Sequence, residues 1–232
     1  MNSMKLGIMQ PYFLPYIGYF QLIKAVDKYV IYDDVNYINK GWINRNNILL
    51  NGQKYLFTLS LLGASQNKLI NEIFVEENQS KLLKTLETAY KKAPYFENIF
   101  PLIQNIFDYE YKNLGKFVGN SIIQIADYLN IKTDFIYSSA IKKENTLKGQ
   151  EKILYICKTL NATKYINAIG GQELYDKEIF KQNNIELNFL QTQIVDYKQF
   201  KNDFVPYLSI LDVLMFNSVE EIGKMLDKFE LV

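Results

Sequence analysis

The sequence predicts an α/β protein: a Rossmann-like, mostly parallel sheet that carries a β-hairpin and a helical insertion. Three observations predict it. The apolar run Lys5-Leu6-Gly7-Ile8-Met9-Gln10 is followed by a loop, a stretch of helical period and a second apolar run, Tyr29-Val30-Ile31-Tyr32, which is the order of a βαβ unit. The alternation returns with strand-like Asp134-Phe135-Ile136-Tyr137, a helical stretch from about Gly149 to Leu160, and strand-like Lys164-Tyr165-Ile166-Asn167. Between them lies a long stretch of helical period. The sheet domain is therefore assigned to residues 1–77 and 131–232, and the helical insertion or cap to 78–130.

The elements follow in order. The first strand ends at Pro11, whose missing N–H cannot extend a ladder. Beyond the loop, Phe20, Ile23 and Val26 recur at helical spacing up to Asp27. Asn51-Gly52 sits between Asn46-Asn47-Ile48-Leu49-Leu50 and Tyr55-Leu56-Phe57-Thr58-Leu59-Ser60-Leu61, and Asn-Gly tolerates the positive φ angles of a tight hairpin turn. A further strand is expected over Ile70 to Val75. The helical stretch from Ser80 to Asn130 is expected to break at Pro94, Pro101 and Gly115. A strand follows at Glu186-Leu187-Asn188-Phe189, Pro206 suits the first turn of a helix, and Ser218-Val219-Glu220-Glu221 is a capping box opening a last helix.

Composition excludes several classes of function. Apolar residues at 48% and charged residues at 22% suit a globular protein. A formal net charge of +1 gives no global field to hold nucleic acid, so any phosphate recognition must be local. The single cysteine, Cys157, forbids an internal disulfide and lies at helical spacing among apolar residues, as a small buried hydrophobe would. The chain opens without an export signal and no window reaches the length of a membrane span, so a cytoplasmic protein is expected. Histidine is absent, which removes imidazole from any mechanism. No spacing argues for a dedicated metal cage, and a homodimer stays open.

The candidate site lies in the first fifty residues. Arg45 is the only arginine and stands beside the only tryptophan, Trp42, in Trp42-Ile43-Asn44-Arg45-Asn46. Its planar fork fits carboxylate or phosphate where a lysine cannot, so Arg45 is a candidate diphosphate clamp and Trp42 a stacking surface for a base or sugar, with Asn44 at the same strand entry. Gln10, Tyr12, Tyr16 and Tyr19 belong to a proline-stiffened aromatic loop at a strand end, a suitable wall for a planar ligand. Asp33 and Asp34 follow the second strand. Being adjacent, they point to opposite sides, so one is expected to serve as general base or hydroxyl anchor and the other as a structural group. Gly170-Gly171 allows close backbone approach after a strand. Ser209 and Asp212 share a helix face and either complete the pocket or lock the C-terminal helix to the sheet. Lys148 and Lys152 read as a solvated helix face.

On Met9-Gln10-Pro11-Tyr12-Phe13-Leu14-Pro15-Tyr16-Ile17-Gly18-Tyr19-Phe20, on Asp33-Asp34-Val35 leading to Gly41-Trp42-Ile43-Asn44-Arg45-Asn46, on Tyr165 with Gly170-Gly171, and on Phe204-Val205-Pro206-Tyr207-Leu208-Ser209-Ile210-Leu211-Asp212, the chain resembles the WbqC-like proteins. The family's setting in bacterial O-antigen and other surface-glycan gene clusters implies work on sugar nucleotides. The resemblance thus implies a transferase that attaches an acyl or aminoacyl group to the amine of a nucleotide-linked amino sugar, with an activated acyl or aminoacyl donor as co-substrate. A non-catalytic sugar-nucleotide-binding or scaffold protein of such a pathway is the alternative of a different class. The first βαβ unit is also similar to HIGH-type nucleotidylyltransferases and adenylate-forming ligases, with Tyr16-Ile17-Gly18-Tyr19 in place of their His-x-Gly-His turn, and this similarity implies a nucleotidylyltransferase or adenylate-forming ligase as a further alternative function. A phenol, with a reference pKa near ~10, brings no cationic charge to a phosphate at neutral pH.

Overall fold

Strand β1 (Lys5–Met9) alternates, with Leu6 and Ile8 buried on one face of a sheet and Gly7 turned to the other, where an added Cβ would stand 3.0 Å from the Tyr29 ring. The structure is a computed structural model and describes residues 3–144, 146–201 and 203–232. After the Pro11 loop, α1 (Ile17–Lys24) returns the chain to β2 (Lys28–Ile31). The hairpin is as expected: β3 (Arg45–Leu50) and β4 (Gln53–Thr58) pair antiparallel around Asn51 and Gly52, at φ 52° and 77°. The single strand expected over Ile70 to Val75 is instead a 3-10 turn at Ile70–Glu72, curled by the Glu72 carboxylate accepting the Leu69 N–H at 2.8 Å. Only β6 (Phe74–Val75) remains extended, paired with β5 (Leu61–Leu62).

Three helices come next, α2 (Ser80–Tyr90), α3 (Phe96–Phe107) and α4 (Leu114–Tyr128). Pro101 does not break the chain where expected; it lies inside α3, where burial of Ile99, Ile103 and Ile106 on one face outweighs the lost hydrogen bond. Gly115 does not break it either. It occupies the first turn of α4, behind an Asn113 cap, because an added Cβ would stand 3.0 Å from Asp33 Cβ. The remainder alternates: β7 (Asp134–Tyr137), α5 (Gly149–Thr159), β8 (Lys164–Ala168), α6 (Lys177–Gln182), β9 (Glu186–Thr192), α7 (Ile210–Phe216), α8 (Val219–Met225) and β10 (Phe229–Leu231). Ser209 caps α7, so Pro206 lies in the approach rather than in a first turn. The Ser218–Glu221 capping box opens α8 as its spacing requires.

The six-stranded sheet has the order β10-β9-β8-β1-β2-β7, parallel throughout except for the β9–β10 pair at its edge. One face packs Tyr29, Ile31, Ile166 and Leu190 with α1, α4, α7 and α8; the other packs Leu6, Ile8, Val30 and Tyr165 with α5 and α6. From β1 the chain first proceeds outward through β2 to β7, then crosses to β8 and proceeds outward the other way. The order therefore reverses between β1 and β8, the place where open α/β sheets leave a crevice at the carboxyl ends of their strands. Among the described residues no helix is long and apolar enough to cross a membrane.

Candidate functional site

Because β1, β2, β7 and β8 run parallel, the segments that follow them gather on one edge of the sheet. Gln10 and Tyr12 after β1, Tyr32 after β2, Asn167 and Ala168 closing β8, and Gly170 and Gly171 just beyond line a crevice of about 410 Å³, with Ile38, Leu174 and Tyr175 on its outer wall. Its hydrogen-bonding groups are amides and phenols. Burial raises the pKa of Tyr12, Tyr32 and Tyr175, so all three stay neutral donors and acceptors at physiological pH.

Tyr12 is also a wall of a second, aromatic pocket of about 210 Å³, lined by Tyr12, Pro15, Tyr16, Trp42, Asn46 and Tyr207. Trp42 and Tyr207 are 45% and 61% exposed, large aromatic faces left open to a ligand. The loop between the pockets is held from several directions. Leu14 takes a left-handed φ of 46°, strained for a side chain of its shape, and its carbonyl accepts from Asn46 Nδ2 at 2.9 Å and Ser209 Oγ at 2.7 Å. Phe13 N–H donates to the Trp42 carbonyl at 3.2 Å, and the Pro15 carbonyl accepts from Ile210 N–H at 2.7 Å. Gly18 completes the fit, since an added Cβ would meet Thr192 Oγ1 at 2.3 Å and the Tyr16 ring at 2.4 Å.

The adjacent aspartates part as strand geometry requires. Asp33, 1% exposed, accepts from Ser139 N–H at 2.9 Å and Ser139 Oγ at 2.7 Å, tying the end of β2 to the end of β7. Asp34 pairs with Lys143 at 2.7 Å and Lys152 at 3.2 Å, and its carbonyl accepts from Lys152 Nζ at 2.8 Å. Burial works to raise the Asp34 pKa, but Lys143 and Lys152 outweigh it and hold the carboxyl below its ordinary 3.8. Neither aspartate pairs with Arg45 among the described residues. Lys152 is no solvated ridge: with Lys143 it is buried, and its Nζ stands 4.9 Å from the ring of Tyr32, a crevice wall. Two buried cations thus share one carboxylate beside the cleft. The solvated-face reading of Lys152 failed because its partner lies 118 residues away in sequence.

Other candidates have structural partners. Tyr19 is buried and donates to the Gln10 carbonyl at 2.8 Å, so it supports the loop from below and the second tyrosine of Tyr16-Ile17-Gly18-Tyr19 does not reach the crevice. Asn44 accepts from Tyr37 Oη at 2.8 Å and donates to the Leu59 carbonyl at 2.9 Å, pinning the hairpin. The Arg45 guanidinium closes its own loop through the carbonyls of Gly41, at 3.0 Å, and Lys40, and lies 6.0 Å from the Trp42 ring. It ties down the turn that precedes Trp42. Ser209 and Asp212 lock α7: Asp212 is buried and accepts from Tyr90 at 2.9 Å, Tyr197 at 2.7 Å and Gln199 at 2.5 Å. Cys157 is buried, and burial pushes its thiol up to about 12.

Of the predicted site residues, the structure brings Gln10, Tyr12, Gly170 and Gly171 together in the crevice and Tyr12, Tyr16 and Trp42 in the aromatic pocket. The sequence reading missed Asn167, Tyr32, Tyr175 and Lys143. Tyr32 and Asn167 carry a usable signal, since each closes a predicted parallel strand. Lys143 and Tyr175 carry none outside the fold. Among the described residues, no group of three or more Cys, Asp or Glu side chains is placed to hold a metal ion.

The chain is similar to the uncharacterized protein Rv1507c of Mycobacterium tuberculosis, with 28% identity over 218 residues, covering 92% of this chain and 93% of that protein. No solved structure matches the chain. The profile of the WbqC-like protein family spans residues 10–224, from the crevice loop through α7 and into α8. That range takes in most of the lining of both pockets and four of the six strands of the sheet, and the chain belongs to the WbqC-like protein family.

Proposed function

We propose that this protein binds a nucleotide-linked amino sugar and transfers an acyl or aminoacyl group to its amine in bacterial surface-glycan biosynthesis. One observation carries the reading: the crevice at the β1/β8 reversal is joined through Tyr12 to an open aromatic pocket, giving two adjoining chambers of different chemistry. The hydrogen-bonding crevice suits a nucleoside and the aromatic pocket suits a sugar ring. In the transfer step the amine lone pair forms the new C–N bond. The bond from the acyl carbon to the donor's leaving group breaks with its electron pair on that group, which also takes the proton. Asp33 is committed to Ser139 and Asp34 is a weakened base, so rate enhancement rests on alignment of amine and carbonyl.

The pinned aspartates also favour a second reading, a sugar-nucleotide-binding protein without turnover. Trp42, the only tryptophan, supplies the test. Titration with amine-bearing nucleotide sugars is expected to change its emission and raise the melting temperature, and Tyr12→Ala to abolish both. Mass spectrometry with acyl and aminoacyl donors should then show an acylated amine. Binding without any acylated product selects the second reading, and no response to any nucleotide sugar rejects both.

A further inference from the structure

Asn167 lines the crevice, on β8 at the reversal of strand order, and carries a side-chain amide whose orientation is fixed. Its Oδ1 accepts the Ala168 N–H at 2.8 Å, which turns Nδ2, with two N–H donors, away from the backbone. One Nδ2 N–H is directed to the Tyr175 hydroxyl on the crevice wall, whose pKa it works to lower against the effect of burial, and among the described residues the second N–H has no partner. Gly171 lets the amide take this position, because an added Cβ would stand 2.7 Å from Nδ2. A directional donor is thus held still in a cleft walled by tyrosines and amides. The lysines of this edge are engaged with Asp34 outside the crevice lining, so a neutral planar acceptor suits the position better than a phosphate.

We infer that Asn167 is a specificity-determining residue that donates to a carbonyl oxygen of the nucleobase, a group that uracil and guanine carry and adenine lacks. The inference rests on the reading that this crevice holds the nucleotide. Asn167→Asp keeps the acceptor for Ala168 N–H and replaces only the donor, so it separates recognition from folding.

Calorimetric titration with UDP, GDP and ADP tests it. The wild type is expected to bind UDP or GDP more tightly than ADP. Asn167→Asp should weaken the preferred nucleotide by about tenfold or more, as loss of one hydrogen bond with repulsion between acceptors requires, and narrow the gap to ADP. Gly171→Ala, whose methyl displaces the amide, should shift affinity the same way at an unchanged fold by circular dichroism. Wild-type affinity in both variants, with binding lost in Tyr12→Ala, overturns this inference and leaves the crevice reading standing. Failure of the wild type to bind any of the three overturns both.

Discussion

Asp34 is the residue whose charge the cleft edge depends on, because Lys143 and Lys152 are buried against it with side chains 5% and 11% exposed. Removing a buried carboxylate strands its cations, at a cost of about 3 kcal/mol. Asp34→Asn is therefore expected to lower the urea midpoint markedly, while Asp27→Asn, at an exposed aspartate, serves as the mild control. The pH dependence has a definite sign. The folded carboxyl titrates below its ordinary 3.8, so its contribution is fully present above that pH and is lost as pH falls through the lower folded value. The wild type should thus show an acid limb of stability that Asp34→Asn flattens. Superimposable acid limbs would mean that the two lysines do not depend on this carboxylate. Asp212 acts with the opposite sign: burial raises its pKa despite three donors, so its contribution is present at low pH and is lost as pH rises through the folded value.

The elements near the site are joined by the segment between β9 and α7, which has little regular structure among its described residues yet carries Tyr197, Gln199 and Tyr207. Asp212 anchors it. Tyr197 and Gln199 donate to one carboxylate oxygen, and Tyr90 of α2 donates to the other while accepting Leu49 N–H of β3 at 3.1 Å. In Asp212→Asn one oxygen becomes a donor that faces donors, a change expected to cost about 2 kcal/mol. Limited proteolysis should then cut within residues 193–208 faster than in the wild type, and the aromatic pocket should lose ligand affinity through Tyr207. Unchanged cutting would show that the segment is held by its apolar contacts alone. The network also marks a limit of sequence reading. The Asn51-Gly52 hairpin, the Ser218–Glu221 box and the alternating strands were legible because their causes lie within a few residues. Pro101 and Gly115 misled because tertiary burial and a contact with Asp33 overrode local preference. For the same reason the lining positions of Gln10, Tyr12 and Trp42 follow from their places beside strand ends, whereas the polar groups of Asn44, Arg45 and Asp212 are taken up by partners within the protein.

At the scale of the whole molecule, the question is whether the helices of the 78–130 stretch form a detachable cap. Their apolar faces do not close on themselves. Leu86, Ile103, Phe117 and Ile122 belong to one continuous buried cluster with Phe13, Tyr19, Ile31 and Leu214, so these helices cover a face of the sheet and the underside of the crevice loop. Backbone bonds cross the junction as well: Val75 N–H donates to the Lys112 carbonyl at 2.7 Å, and Leu114 N–H donates to the Ile73 carbonyl at 2.8 Å. Unfolding the helices alone would expose the sheet face and release Tyr90 from Leu49 and Asp212, with no compensating burial. We therefore expect one cooperative transition. Scanning calorimetry should give a calorimetric enthalpy equal to the van't Hoff enthalpy, at about 160 kcal/mol near 60 °C for a chain of this length. A ligand of the crevice should move the entire transition upward, because the loop it touches is packed on both parts of the core. Two resolved transitions, only one of them shifted by ligand, would instead make the helical stretch an independent cap, and the crevice would then owe its shape to the sheet alone.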